Sequence, residues 1–149
     1  MSEVLIRLKE KHRQAGFTLL ELLVVMVIVG LLAGYVGPKY FAQIGKSEVK
    51  TARAQIEALG KALDQYRLDV GHYPTTEQGL AALNNPPNNE RKWQGPYLKK
   101  EVPRDPWDNP YFYQMPGTQS QYSEYDLWSL GSDGASGGND TAADIVSWR

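Results

Sequence analysis

The sequence contains no cysteine among its 149 residues. This absence excludes a disulfide framework, thiol chemistry and a cysteine zinc site. Histidine is also scarce, because His12 and His72 are the only two and lie far apart. A nucleophilic hydrolase needs a nucleophile–base pair, and His72 belongs to no Ser/His/Asp motif. A carboxylate pair is the one catalytic arrangement that stays open, and we do not expect an enzyme.

An excess of charge of one sign is missing as well. The chain carries 16 basic and 17 acidic residues, for a formal charge of −1. Such a balance gives no indication of nucleic-acid binding. There is no Gly-x-x-x-x-Gly-Lys-Ser/Thr loop, so any ATP hydrolysis would belong to a partner. The length fits one modest domain with one appended segment.

The few charges are unevenly distributed along the chain. Residues 1–16 have a net charge of +2, and the remainder has a net charge of −3. The charged residues of this head are Arg7, Lys9, Lys11 and Arg13 with Glu3 and Glu10. A basic head before an apolar run is typical of a membrane-targeting segment whose head stays in the cytoplasm.

The apolar run covers residues 17–37, and its only charge is Glu21. A helix of this length spans roughly 31 Å, close to the hydrocarbon core of a bilayer, and a helix satisfies its own backbone hydrogen bonds there. A buried core helix would leave the basic head unexplained. A cleaved secretory signal, with a cut near Ala33 or Gly34, has a shorter apolar core and fits poorly with a carboxylate inside it. The run therefore predicts a membrane span.

Glu21 is unusual because an ionised carboxylate in hydrocarbon is costly and usually marks a partner. The span contains no Lys, Arg or His. Cleavage between Gly16 and Phe17 would create an amine four residues before Glu21, which could meet the carboxylate of a neighbouring identical helix. The alternative is a glutamate that reaches the membrane interface near the end of its helix. Both interpretations stay open on physical grounds.

The residues Gly16-Phe17-Thr18-Leu19-Leu20-Glu21, followed by an apolar helix, resemble the class III signal of type IV pilins and pseudopilins. The resemblance implies cleavage after Gly16 by a prepilin peptidase and N-methylation of Phe17. It also implies that Glu21 guides subunit docking through a neighbour's Phe17 amine. The 16-residue leader is somewhat long for the family but keeps its basic character.

Pro38 ends the apolar run and follows several glycines. Proline removes a helix donor and clashes with the preceding turn, and glycine lowers helix stability. The glycines concerned are Gly30, Gly34 and Gly37. Small residues also let membrane helices approach closely, which is the simpler explanation. The family resemblance favours a segment that loosens when the helix moves from lipid into a filament.

Residues 38–70 show the spacing of an amphipathic helix that continues from the span. The apolar positions recur every three or four residues: Val49, Ala52, Ile56, Leu59, Leu63 and Tyr66. Most charged residues lie on other faces: Lys46, Glu48, Lys50, Arg53, Glu57, Lys61 and Asp64. The apolar stripe should pack on the C-terminal region, and Gly71 is a natural stop.

Residues 71–149 are rich in turn-forming residues. Thr75 and Thr76 predict a short helix to about Asn84, and residues 84–89 form a loop. Three apolar residues should then return to the core: Trp93, Tyr97 and Leu98. Two short strands of a hairpin follow, at Tyr111–Gln114 and Tyr125–Ser129. A helix on a small antiparallel sheet is an α+β arrangement, with the aromatic residues in its core rather than around a ligand.

A glycine-rich loop near the C-terminus carries Asp133, Asp140 and Asp144. Carboxylates and inward-turned backbone carbonyls are hard oxygen donors that suit calcium. The spacing is not that of an EF-hand, and aspartate and glycine also form ordinary turns. Composition alone leaves both interpretations open.

Several downstream motifs resemble those of the major pseudopilins of bacterial type II secretion systems. They are Tyr66-Arg67-Leu68-Asp69, Tyr73 to Leu80, Tyr97-Leu98-Lys99-Lys100 and Asp105 to Tyr111. The family more often has glycine where Asp108 stands. Many type IV pilins close their C-terminal region with a disulfide, which this cysteine-free chain cannot do.

The stretch from Leu130 to Ile145 resembles the calcium loop of that family. The resemblance implies side-chain ligands at Asp133 and Asp144 and backbone oxygens at Leu130 and Ala135. Many relatives have a second aspartate where this chain has Ala143. Asp140 or a backbone oxygen would then replace the missing ligand.

The resemblance implies a type IV pilin-like α+β fold with a calcium loop. The expected organisation is a cleaved basic leader over 1–16, a transmembrane and assembly helix over 17–37, and a periplasmic domain over 38–149, divided into a helix half at 38–70 and a C-terminal region at 71–149. Glu21, Phe17 and Pro38 are the expected assembly residues.

The implied function is that of a structural subunit, anchored once in the bacterial inner membrane, that polymerises into a periplasmic pseudopilus for secretion of folded proteins. The implied partners are further copies of the chain, minor pseudopilins, the inner-membrane assembly platform with its ATPase, the prepilin peptidase and membrane lipid, without nucleic acid. The alternative is the major pilin of a type IV pilus, for adhesion or DNA uptake. The missing disulfide and the net charge of −3 disfavour that alternative.

Overall fold

The computed structural model describes residues 16–149. The predicted leader, apart from Gly16, lies outside these residues. The chain divides into two compact units, Met1–Tyr40 and Phe41–Arg149. A long helix, α1, covers Leu19–Val70 and runs without a break through Pro38.

Both ends of α1 have a local cause. At the start, Thr18 and Glu21 exchange hydrogen bonds: the Thr18 amide donates to Glu21 Oε2 over 2.8 Å, and the Glu21 amide donates to Thr18 Oγ1 over 3.1 Å. This is a capping box. At the end, Gly71 has φ of 99° and its amide donates to the Arg67 carbonyl over 2.7 Å. A left-handed glycine after the last helical residue is the usual helix stop, so the prediction for Gly71 is confirmed.

The second unit is organised around one face of α1. Ala52, Leu59, Leu63 and Tyr66 are at most 1% exposed, and Val49 packs at the edge of the same core. The predicted apolar stripe is therefore confirmed. Burial of a leucine side chain contributes roughly 1.5–3 kcal/mol, so this stripe accounts for much of the attachment of the helix to its domain.

The segment after the helix differs from the prediction of a helix from Thr75 to about Asn84. The Thr75 amide donates to Gln78 Oε1 over 2.9 Å, as in a helix start. Gly79 then has φ of 58° and interrupts the turn, and only a 3₁₀ helix over Leu80–Leu83 follows. The capping residues were recognised correctly, but a left-handed glycine is not compatible with a continuous helix.

The sheet has three antiparallel strands in the order β1-β2-β3. Their bounds are Phe112–Gln114, Asp126–Ser129 and Ile145–Val146. The predicted hairpin is confirmed to within one residue at each start. The two-residue β3 was missed because it lies in the stretch interpreted as a loop.

The two faces of the sheet differ in character. Tyr113 and Leu127 face the core. Strand alternation places their neighbours on the opposite, outer face. There, Phe112 stacks on Trp128 with ring centroids 5.6 Å apart, and Trp148 meets Trp128 edge-on at 6.1 Å.

The predicted return of the aromatic segment to the core is also confirmed. Trp93, Tyr97 and Leu98 pack against the core cluster, and Trp93 Nε1 donates to the Ala82 carbonyl over 2.8 Å. The turn after Asp105 explains a departure from the family: Asp108 has φ of 66°. Glycine occupies this conformation at no steric cost, and aspartate is among the few residues that tolerate it.

Candidate functional site

The first part of α1 is a single exposed apolar surface. Its large apolar side chains from Leu19 to Val36 are 48–88% exposed, and this part of the helix is long and apolar enough to cross a membrane. Gly16 and Phe17 precede the helix and are exposed. The bond between them is therefore accessible for cleavage.

Glu21 lies at the start of this surface and is held by Thr18. Glu21 Oε2 accepts from the Thr18 amide and, over 3.0 Å, from Thr18 Oγ1. The sequence interpretation assigned Glu21 a distant partner and missed this local one. The signal was present in the spacing Thr-x-x-Glu before an apolar run. The capping box keeps the carboxylate at the helix start, beside Phe17.

The other end of the apolar surface is marked by Tyr35 and Lys39. Lys39 Nζ donates to the Tyr35 hydroxyl over 2.7 Å and lies 4.3 Å from the centre of its ring. Aromatic and lysine side chains with apolar bodies and polar tips are typical of a membrane–water interface. The sequence interpretation used neither residue. Pro38 lies between them inside the helix.

The predicted calcium loop is built on glycines with left-handed backbones. Gly131, Gly134, Gly137 and Gly138 have φ between 64° and 99°. At Gly131 and Gly138 an added Cβ would collide with the backbone of Ala142 or Ala143. These positions require glycine and bring the two halves of the loop together.

The five predicted ligands occupy different parts of this loop. Leu130 and Asp144 are half-buried, whereas Asp133, Ala135 and Asp140 are exposed. Asp133 ends one 3₁₀ helix, Gly131–Asp133, and Asp140 begins another, Asp140–Ala142.

The hydrogen bonds of the loop use its aspartates differently. Asp133 Oδ1 accepts from the Ala135 amide over 3.0 Å, as in an ordinary turn. Asp144 and Gly137 are bonded twice: the Gly137 amide donates to Asp144 Oδ2 and the Asp144 amide donates to the Gly137 carbonyl, each over 3.1 Å. Asp144 therefore closes the loop. Its other oxygen, Oδ1, is buried and has no hydrogen-bond partner.

This buried oxygen provides a test of whether the loop suits calcium. A buried carboxylate oxygen without a donor is costly unless a cation or proton compensates it, so Asp144 fits a hard cation. Over residues 16–149, no three or more His, Cys, Asp or Glu side chains are grouped to hold a metal ion. A cation at Asp144 would therefore need backbone or amide oxygens among its ligands.

The tyrosines of the core are neutral packing groups. Burial raises the pKa of Tyr111 and Tyr113, and it raises the pKa of Tyr125 to about 12. The Tyr113 hydroxyl donates to the Pro74 carbonyl over 2.8 Å. These contacts agree with the interpretation of the aromatic residues as core.

Two family models match the chain. Residues 39–148 match the model for Type II secretion system (T2SS), protein G, and residues 11–36 match the Prokaryotic N-terminal methylation motif.

Curated relatives agree with these matches. The chain is 43% identical over 142 residues to the type II secretion system core protein G of Pseudomonas aeruginosa, covering 93% of this chain and 98% of the relative. It is 44% identical over 147 residues to that of Vibrio cholerae, covering 95% and 97%.

One solved structure resembles the chain. It is the major pseudopilin from the type 2 secretion system of enterohaemorrhagic Escherichia coli, with a TM-score of 0.60 and 37% identity. The alignment covers 72% of this chain and 92% of that structure.

Proposed function

The chain belongs to the type II secretion system protein G family, and from this membership we propose that it polymerises into a periplasmic pseudopilus that drives export of folded proteins across the outer membrane. It is a structural pseudopilin subunit. The family match, the curated relatives and the solved major pseudopilin favour this function over the major pilin of a type IV pilus.

The exposed apolar half of α1 is the observation that carries the proposal. Side chains from Leu19 to Val36 find no cover in the single chain. An apolar surface of this size requires either lipid or other apolar protein. Before assembly the inner membrane supplies the first, and in the filament the same half-helices of other copies supply the second.

The N-terminal residues then have defined parts. A prepilin peptidase cuts between Gly16 and Phe17, and Phe17 is N-methylated. The new amine lies close to the capped Glu21 of its own chain and is available to the Glu21 of a neighbour. The basic leader keeps the head on the cytoplasmic side, and the C-terminal domain lies in the periplasm.

The partners follow from this arrangement. The subunit meets further copies of itself and minor pseudopilins in the filament, and it meets the assembly platform, its ATPase and lipid at the inner membrane. We propose no nucleic-acid partner, because the described surface shows no basic stripe beyond isolated lysines and arginines.

Calcium is the proposed ligand of the C-terminal loop. The unpaired Asp144 Oδ1 and the glycines that turn the backbone inward support it. Asp133 and the carbonyls of Leu130 and Ala135 complete the expected set. A bound cation would stabilise the folded domain by mass action in the periplasm.

A complementation experiment with Glu21→Gln tests the proposed function. The variant replaces the wild-type chain in a bacterium that lacks its own protein G, and filament yield and secretion of a reporter are measured. Glutamine cannot pair with a neighbour's amine as an anion, so we expect processing and membrane insertion to persist while filaments and secretion are lost.

Two control variants separate docking from helix capping. Thr18→Ala removes the cap but keeps the carboxylate, so it should retain more assembly than Glu21→Gln. Glu57→Gln removes an exposed carboxylate elsewhere on α1 and should behave as wild type. Normal filaments and secretion with Glu21→Gln would contradict the assembly role.

A further inference from the structure

A cavity of about 240 Å³ lies on the outer face of the sheet. Its walls are Gln114, Gln119, Asp126, Trp128, Ser136, Asp144 and Trp148. Asp126 and Gln114 are partners across β1 and β2, and Ser136 and Asp144 come from the glycine-rich loop. The cavity is thus the place where this loop lies over the sheet.

Two carboxylates in these walls have the same defect. Asp126 is 0% exposed. Its Oδ2 accepts from the amides of Thr118 and Gln119, over 2.6 and 3.1 Å. Its Oδ1 is buried and has no hydrogen-bond partner, as is the case for Asp144 Oδ1. Buried carboxylate oxygens without donors are costly, and here two of them line one cavity.

No basic side chain lines this cavity, and neither aspartate takes part in an ion pair described for residues 16–149. The remaining polar groups are two amides and one hydroxyl, each with an oxygen that can coordinate a cation. Buried charges are normally paired or coordinate metals. The composition of the walls therefore favours a hard divalent cation.

Asp140 lies in different surroundings. It lines a separate groove together with Lys46 and Lys50 of α1. Two lysines disfavour a cation in that groove. Asp140 is consequently a poor substitute for the ligand that is absent at Ala143.

We propose that Asp126 of β2 supplies the second carboxylate of the calcium site, so that the cation lies in the sheet-face cavity between Asp126 and Asp144. This inference rests on the proposed calcium binding but not on the secretion function. It assigns a ligand that is distant in sequence from the loop, and it leaves Asp140 without a part in binding.

The two tryptophans in the cavity wall provide a direct readout. Terbium(III) is a hard, oxygen-seeking substitute for calcium, and a nearby excited indole sensitises its emission. The full chain in detergent micelles is freed of metal with a chelator and titrated with terbium, and then with calcium as competitor. We expect sensitised emission that calcium abolishes.

Carboxamide variants locate the cation. Asp126→Asn and Asp144→Asn should each weaken terbium and calcium binding at least about tenfold, as loss of a metal-site group commonly does. Asp140→Asn should bind as wild type, and Asp108→Asn, an exposed carboxylate elsewhere, is the charge control. Asparagine keeps one acceptor oxygen for the Thr118 and Gln119 amides. Circular dichroism of the metal-free variant shows whether the fold is intact.

A second pair of variants keeps the test decisive if Asp126→Asn does not fold. Trp148→Phe should lower the sensitised emission while the calcium affinity, measured by calorimetry, is unchanged. Trp93→Phe, away from the cavity, should leave the emission unchanged. Equal emission from Trp148→Phe and wild type would overturn the proposed location.

The outcomes separate this inference from the calcium proposal itself. Weaker binding with Asp126→Asn but not Asp140→Asn supports both. Weaker binding with Asp140→Asn and wild-type binding with Asp126→Asn overturns the inference and keeps the calcium loop. Absence of terbium and calcium binding to the wild-type chain overturns both and leaves the assembly function intact.

Discussion

Ser129 Oγ donates a hydrogen bond to Asp105 Oδ2 over 2.6 Å, and both side chains are buried. The bond joins the end of β2 to the turn that precedes β1. Asp105 Oδ1 accepts from the amides of Trp107 and Asn109, over 3.1 and 2.8 Å. One buried carboxylate therefore orders a turn and fixes it to the sheet.

Ser129→Ala tests the weight of this bond. The change leaves Asp105 Oδ2 buried without its donor, which costs roughly 1–3 kcal/mol. We expect a lower free energy of unfolding by that amount in chemical denaturation followed by near-ultraviolet circular dichroism. Ser132→Ala is the matched control, because Ser132 is exposed and makes only a 3.4 Å contact with Thr141 Oγ1. Equal stability of the two variants would show that the buried bond contributes nothing.

Two adjacent glycines of the loop allow backbone strain to be separated from steric collision. Gly137 and Gly138 have φ of 99° and 82°, so alanine at either position is strained by about 1–2 kcal/mol. Only at Gly138 would the new Cβ also meet a neighbour, the carbonyl group of Ala142. The melting temperature should therefore fall further with Gly138→Ala than with Gly137→Ala. A larger loss with Gly137→Ala would mean that the loop is packed differently.

Alkaline pH should unfold the domain through its buried tyrosines. An unfolded tyrosine titrates near pH 10, and burial raises the pKa of Tyr125 to about 12. The neutral hydroxyl is favoured in the folded state, so its stabilisation is complete below about pH 10 and is lost as the pH rises towards about 12. The melting temperature should be flat near neutrality and fall above about pH 10.

Phenylalanine variants assign this pH dependence. Tyr125→Phe keeps the ring contacts with Tyr73 and Tyr113 but removes the titrating hydroxyl, so the alkaline slope should decrease. Tyr122→Phe is the control, since Tyr122 is 98% exposed, and its slope should equal that of the wild type. The idea fails if both variants keep the wild-type slope.

The segment around Pro38 carries a prediction about assembly. In the single chain α1 is continuous from Leu19 to Val70, although Pro38 cannot donate the usual helix hydrogen bond. If the segment loosens on entering the filament, amides of residues 30–38 should exchange with deuterium faster in filaments than in micelles. Residues 24–29 provide the internal control. Equal or slower exchange of residues 30–38 in filaments would refute the loosening.

Periodic elements were accessible from the sequence. The stripe from Val49 to Tyr66 repeats at helical spacing, and the hairpin alternates between turns, so both were predicted with accurate bounds. The two-residue β3 has no period of its own. It forms a strand only because β2 offers a partner, which is tertiary information.

The candidate site was only partly accessible for a similar reason. Asp144 lies in a glycine-rich loop and attracts attention from composition alone. Asp126 lies within a strand pattern, and nothing near it in sequence suggests a ligand. Its unpaired oxygen and its place beside Asp144 exist only once β2 and the loop are brought together. By contrast, the bond between Thr18 and Glu21 was readable from spacing and was overlooked.

The capping box at the start of α1 has a consequence for filament turnover. Glu21 already accepts hydrogen bonds from Thr18 in the single chain, so docking on a neighbour's amine exchanges one set of partners for another. Net differences between such bonds are commonly about 0.5–1.5 kcal/mol. A subunit can then leave the filament without stranding its carboxylate, because Thr18 recaptures it. The same three-residue motif that begins the helix thus makes retraction into the membrane chemically inexpensive and lets one pool of subunits be used repeatedly.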